Sequence, residues 1–283
     1  MSPRTPTTSP STPPSAGSSD RVNEQDIDTT TPNVARVYDY YLGGGANFEA
    51  DREFANKMLA ILPEARIAAI ANRRFQGRAV RFAAQQGVRQ FLDLGAGIPT
   101  AHPTHEVARA VHPDAKVVYV DSEPIAAAHG VRKLSGDERA ISVRARLQDV
   151  DEVIEKAGEL LDFTEPVTVM ALAILHFVPD EEDPDGILAR YAAATVPGSH
   201  AVVSHATAEG AAGMRTAAVA ARYTASANRS GHLRSKERFT AMLTPYELVA
   251  PGVVWTKQWR PDDPVEAEDP EASAMYAAVG RKR

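Results

Sequence analysis

Along residues 33–86 apolar side chains recur every three to four positions, the period of helices with one buried face. Thr31-Pro32-Asn33 offers capping residues ahead of the run VARVYDYYL, which stops at Gly43-Gly44-Gly45 and so predicts a short first helix. A second is expected from about Phe48 to Leu62, with Phe54, Met58, Ile61 and Leu62 on one face and Pro63 ending it. The third covers Glu64 to Gln86 through Ile67, Ile70, Ala71, Phe75, Ala79, Phe82 and Ala83, with Gly87 placed as its C-terminal cap. From Val88 the pattern changes to short apolar runs alternating with amphipathic stretches, the signature of a parallel sheet covered by helices. Strands are predicted at Gln90–Leu94, Lys116–Val120, Ile141–Leu147, Pro166–Leu172 and His200–Ser204. Helices are predicted between them around Glu106–Val111, Pro124–Lys133, Asp151–Leu161 and Asp185–Thr195.

Five strands with four helical crossovers predict an open, doubly wound α/β sheet. An Ala-rich helical stretch follows to about Ser226, then a polar loop around Asn228–Ser235. Two final strand-like runs, Gly252–Trp259 and Ala274–Val279, flank the acidic loop RPDDPVEAEDPEA, which has no helical apolar face. They are therefore expected to pair as an antiparallel hairpin at the sheet edge. Ser, Thr and Pro fill 15 of the first 20 positions, a composition that cannot build a core. The expected organisation is a disordered tail over 1–30, a helical cap region over 31–87 and an α/β domain over 88–283.

Composition narrows the chemistry. With 31 Lys+Arg against 37 Asp+Glu the net charge is −6, which disfavours a sequence-independent nucleic-acid binder. The absence of cysteine removes disulfide scaffolds, thiolate metal sites and cysteine nucleophiles. No apolar run reaches the roughly 18 residues that span a bilayer, and the N-terminus has no signal-peptide core, so a cytoplasmic, membrane-free protein is expected.

The chemistry-bearing motif is FLDLGAGIPT, residues 91–100, a strand running into a glycine turn and then a helix. Glycine at 95 and 97 lets the backbone turn sharply and approach a nucleotide-like ligand closely. Asp121 ends the second strand, where a carboxylate accepts hydrogen bonds from both ribose hydroxyls; Asp149 follows the third strand and can accept from an adenine amino group. The dinucleotide fingerprint GxGxxG carries a third glycine where this chain has Thr100, and a carboxylate at Asp93 would repel a pyrophosphate. A ligand carrying an ammonium and a sulfonium suits that position better, which favours S-adenosylmethionine.

The runs LGGGANFEADREFA, NRRFQGRAVRFAAQQGVRQFLDLGAGIPT, HEVARAVHPDAKVVYVDSEPIAAAH, AILHFVPD and PGVVWTKQWRPD resemble the S-adenosyl methyltransferase family abundant in actinobacteria, long catalogued as a domain of unknown function. The resemblance spans roughly Thr31 to Lys282. It implies the class I methyltransferase fold, a Rossmann-like, open and mostly parallel sheet with an antiparallel edge strand and an N-terminal helical extension. It also implies S-adenosylmethionine held at Asp93, Gly95, Ala96, Gly97, Asp121, Ser122, Asp149 and Val150.

Other side chains are weaker candidates. His102, His105 and His112 form the densest histidine cluster, but His102 and His105 straddle a proline rather than sharing a helix face, so a metal is not expected. Ser204 and His205 are adjacent on a strand and point to opposite faces, which excludes a nucleophile–base pair. His176, at the end of the fourth strand, is the candidate catalytic base, titrating near neutral pH. The expected activity is methyl transfer to an O, N or C nucleophile of a small molecule; an NAD-dependent dehydrogenase and a non-catalytic S-adenosylmethionine-binding regulator are the alternatives.

Overall fold

The computed structural model describes residues 28–99, 102–223 and 231–283. The tail expected over 1–30 therefore lies almost wholly outside the described residues, as does Thr100. The described residues begin with three helices, α1 (Val34–Tyr41), α2 (Glu49–Ile61) and α3 (Glu64–Gln85). Asn33 caps α1 by accepting from the N–H groups of Ala35 and Arg36, and its own amide donates to Glu123 at 2.9 Å, which fixes α1 beside the loop after the second strand. The glycine loop 43–45 wraps the buried Asp39 carboxylate, which accepts from Ala46 N–H and the Asn47 amide.

Strands and helices then alternate as β1 (Gln90–Leu94), α4 (Thr104–Arg109), β2 (Lys116–Asp121), α5 (Pro124–Lys133), β3 (Ala140–Arg144), α6 (Val150–Ala157), β4 (Val167–Leu172), α7 (Pro184–Ala194) and β5 (His200–Ala206). Helices α8 (Gly210–Tyr223) and α9 (Lys236–Met242) and the strands β6 (Glu247–Leu248), β7 (Val254–Trp255) and β8 (Met275–Arg281) complete the chain. The strand order is β3-β2-β1-β4-β5-β8-β6, parallel through β5, with β8 antiparallel to β5 and β7 pairing β8.

Alternation along each strand sorts the core into two layers. Leu92, Leu94, Val169 and Ala171 pack under α6, α7 and α9 with Val153, Leu188 and Phe239. Phe91, Met170 and Val202 meet Phe75, Ala79 and Ala83 of α3 on the other face. Asp93 has the parity of Phe91, so it emerges on the α3 side at the carboxyl end of β1. α3 itself departs from the expected stripe. Ile67 and Ile70 are exposed, while Ala69, Asn72, Phe75 and Gln76 turn inward, because the first turns of the helix border a cavity rather than the packed core.

The run Gly252–Trp259 is a strand only at Val254–Trp255. Trp259 leaves the sheet and is fully buried between Phe75 and Phe82, its ring 5.5 and 5.7 Å from theirs. Arg78, buried in α3, locks that turn by donating to the carbonyls of Trp259 and Thr256, both at 2.8 Å. The third strand ends at Arg144 rather than Leu147. Helix α9 and strand β6 arise in a stretch for which the pattern predicts no element.

Candidate functional site

A cavity of about 270 Å³ opens at the carboxyl ends of β1, β2 and β4, between them and α1, α3 and α8. The loop after β1 is pinned to its neighbour, since Gly95 and Ala96 both donate to the Val120 carbonyl. Gly97 N–H donates to Asp121 Oδ2 at 2.7 Å, and Asp121 Oδ1 accepts from Glu123 N–H at 2.9 Å, so Asp121 braces the glycine turn from the end of β2. Gly95 and Gly97 both have positive φ, 64° and 62°.

Their surroundings differ. A Cβ at Gly95 would overlap the Ile174 side chain, whereas at Gly97 it would enter open cavity, with Ala35 Cβ the nearest atom at 4.0 Å. Gly95→Ala is therefore expected to lower the melting temperature of the ligand-free protein more than Gly97→Ala does. Gly97→Ala should carry only left-handed strain of about 1–2 kcal/mol, its Cβ entering the open cavity. Thermal melts of both variants without ligand check the order; equal losses would refute it.

Asp93 is 4% exposed and accepts from Thr104 Oγ1 at 2.7 Å. Burial lifts its pKa to about 6; the Thr104 hydrogen bond and the Arg73 charge oppose the rise and the Asp121 charge adds to it. Thr104 in turn accepts from Gln76 Nε2 at 2.7 Å, and Gln76 Oε1 accepts from Arg73 at 2.8 Å. A second relay runs across the cavity floor. Ala173, with φ of 52°, donates to Ser204 Oγ at 2.9 Å; Ser204 donates to Asn72 Oδ1 at 2.6 Å; Asn72 Nδ2 donates to the Tyr38 hydroxyl at 3.0 Å. Sequence reasoning missed Asn72, Arg73, Gln76 and Thr104. The only signal for the first three is a polar interruption of the apolar stripe of α3; Thr104, at the start of α4, has none.

Of the candidates, Asp93, Gly95, Ala96, Gly97 and Asp121 line this one cavity, and Ser122 lines an adjoining groove shared with Gly95 and Asp121. Asp149 and Val150 are not brought to it. Because β3 stops at Arg144, the chain has already turned down by residue 149, so Asp149 is an exposed N-cap of α6 and Val150 is a core residue. Arg146, Leu147 and Gln148 line the groove instead, with Arg146 and Gln148 both donating to Glu182.

His176 lines the cavity from the turn after β4, tilted against Phe177 with ring centroids 4.2 Å apart. Burial, with the charges of His205, Arg234 and His232 around it, pushes its pKa down to about 3. The expectation of a base titrating near neutrality is thereby corrected: the imidazole is neutral at pH 7 and a weak base. The turn that carries it is clamped by buried Arg234, which donates to the carbonyls of Leu175 and Val178 and to His205 Nε2. His205 points away from Ser204, as strand parity requires. In the other histidine cluster, His105 Nδ1 meets the Tyr119 hydroxyl at 2.7 Å and His112 Nε2 meets the Ala84 carbonyl at 2.9 Å. Among the described residues no helix is long and apolar enough to cross a membrane.

Over residues 20–283 the chain matches the family model described as S-adenosyl methyltransferase. It is similar to the crystal structure of a candidate methyltransferase from Thermobifida fusca YX, with 36% identity over 90% of this chain and 97% of that one and a TM-score of 0.83. A DUF574 family protein from Streptomyces avermitilis MA-4680 shows 36% identity over 90% of this chain and 99% of that one, with a TM-score of 0.84. None of the curated proteins matches. A family match of that extent, joined by two solved structures sharing more than a third of their residues with it, makes this chain a member of the S-adenosyl methyltransferase family.

Proposed function

We propose that the protein is an S-adenosylmethionine-dependent methyltransferase acting on a small, largely apolar acceptor. The observation that carries this reading is one continuous cavity with two kinds of wall. At the strand ends it offers carboxylates and glycine backbone, Asp93, Gly95, Gly97 and Asp121. Toward α1 and α3 it offers Tyr38, Leu62, Ala65, Ala68 and Ala69, with Phe177 from the turn after β4. The residues present fit the donor: the open space over Gly97 admits a ligand where a side chain would stand, and the buried Asp93 carboxylate has a cation's complement of charge. In this reading Asp93 holds the donor ammonium, Asp121 the ribose hydroxyls, and the groove beside Ser122 the adenine.

When bound, S-adenosylmethionine supplies a methyl group made electrophilic by its sulfonium. The chain's part is to align an acceptor atom with that group and keep water out, which the apolar walls favour. His176, neutral and bordering the same space, serves to orient the acceptor by hydrogen bonding, and proton loss does not depend on a strong base. Two carboxylates at the floor of the cavity disfavour a pyrophosphate and with it a dinucleotide.

Calorimetric titration with S-adenosylhomocysteine tests the reading. The wild-type chain is expected to bind, and Asp121→Ala to weaken binding at least about tenfold, since it loses charge-assisted contacts to the ligand and the brace on Gly97 together. Unchanged affinity in a folded Asp121→Ala protein would remove Asp121 from the donor site.

A further inference from the structure

We propose that Arg73 binds the donor's carboxylate, so that Arg73 and Asp93 form a two-point receptor for a free α-amino acid end. The inference rests on the reading of the cavity as a donor site. Among the described residues that line it, the acids are Glu64, Asp93, Asp121 and Glu123, and Arg73 is the sole guanidinium or ammonium. Glu64 is paired with Arg215, and Glu123 accepts from Asn33. Arg73 makes no ion pair with any described residue. Its guanidinium lies 5.8 Å from the Tyr38 ring centroid, one terminal nitrogen donates to Gln76, and Nε is buried without a hydrogen-bond partner.

A cation held in a cavity with a buried, unsatisfied donor is costly unless a ligand completes it. The partner that fits is an anion able to accept from a planar fork, and a carboxylate does so with two oxygens. The spacing identifies which carboxylate. Gln76 and Thr104 stand between Arg73 and Asp93, linked by hydrogen bonds of 2.8, 2.7 and 2.7 Å, so the two charges are held near one another without touching. An α-amino acid carries ammonium and carboxylate on a single carbon, and such a zwitterion complements a fixed pair of opposite charges. The Arg73 charge also draws Asp93 toward its ionised form, the form that an ammonium needs.

The test compares two ligands that differ only in the carboxylate. Wild type, Arg73→Gln and Arg73→Lys are titrated calorimetrically with S-adenosylhomocysteine and with its decarboxylated analogue, which keeps the ammonium, and thermal melts confirm that each variant is folded. Arg73→Gln should weaken S-adenosylhomocysteine binding roughly 10- to 100-fold and change the decarboxylated analogue by less than about threefold, with Arg73→Lys in between. If Arg73→Gln binds both ligands as wild type does, the charge serves another anion, such as a carboxylate on the acceptor, and the inference is overturned. Equal losses for both ligands would make Arg73 a structural residue and overturn it as well. Failure of the wild-type chain to bind S-adenosylhomocysteine would instead remove the donor-site reading, and this inference with it.

Discussion

Asp51→Ala is expected to destabilise the protein by roughly 3–5 kcal/mol, the cost of stranding a buried charge. Asp51 and Arg36 are 0% and 1% exposed, with Nε and Oδ2 2.7 Å apart. The carboxylate also accepts from Asn33 N–H at 2.9 Å and from Phe48 N–H at 2.8 Å, while the guanidinium donates to the carbonyls of Asp28 and Thr31 and lies over the Phe48 ring. One carboxylate thus joins the starts of α1 and α2 and the segment entering them. Removing it leaves Arg36 without a counter-charge and two backbone donors without an acceptor. At the usual conversion for a chain of this size the melting temperature should fall by about 10 °C. Since α1 supplies Ala35, Tyr38 and Tyr41 to the cavity wall, affinity for S-adenosylhomocysteine should fall with it. The double variant Arg36→Met/Asp51→Leu should recover part of the loss but not all, because Asn33 and Phe48 still lack their acceptor. A single variant melting within 2 °C of wild type would show that the pair anchors nothing.

Asp93→Asn should do the reverse to the ligand-free protein while harming the site. The folded carboxyl has a pKa of about 6 against an ordinary value of 3.8, so between these pH values the folded state holds more protons than the unfolded one. Stability from this group is therefore fully present below about pH 4 and is lost as pH rises through 6. At pH 7.5 the buried charge costs on the order of 3 kcal/mol, which an asparagine avoids while still accepting from Thr104. Differential scanning calorimetry should show Asp93→Asn melting above wild type at pH 7.5 and close to it at pH 4. Donor binding moves the other way, since a neutral amide cannot pair with an ammonium. If Asp93 holds the ammonium as proposed, wild-type affinity for S-adenosylhomocysteine should fall about tenfold between pH 7.5 and pH 5 as the carboxyl protonates. Affinity independent of pH over that range would detach Asp93 from the ligand.

Which strand-end residues line the cavity was largely legible in the sequence, because strand chemistry is local. Short apolar runs between amphipathic stretches located β1, β2, β4 and β5, and residues at the carboxyl ends of adjacent parallel strands must share a crevice. That is why Asp93, Gly95, Gly97 and Asp121 could be named together. The same reasoning failed at Asp149, where the apolar run through Leu147 reads as strand although pairing with β2 ends at Arg144. Pairing is a property of two segments, and one segment's pattern does not reveal where its partner stops.

What the sequence by itself determined is the alternation of strands and helices, the glycine turn, and the acidic residues at the strand ends, each written in neighbouring residues. Tertiary structure alone decided which way α3 faces. Ile67 and Ile70, expected on its buried face, are exposed, while Asn72, Arg73 and Gln76, to which the pattern assigns no role, line the cavity. It also drew Trp259 out of a strand-like run into the gap between Phe75 and Phe82, and it made His176 a neutral imidazole rather than a base near pH 7. The physical reason is common to all three: burial, and the charges gathered by burial, depend on surfaces contributed by residues far apart in the chain.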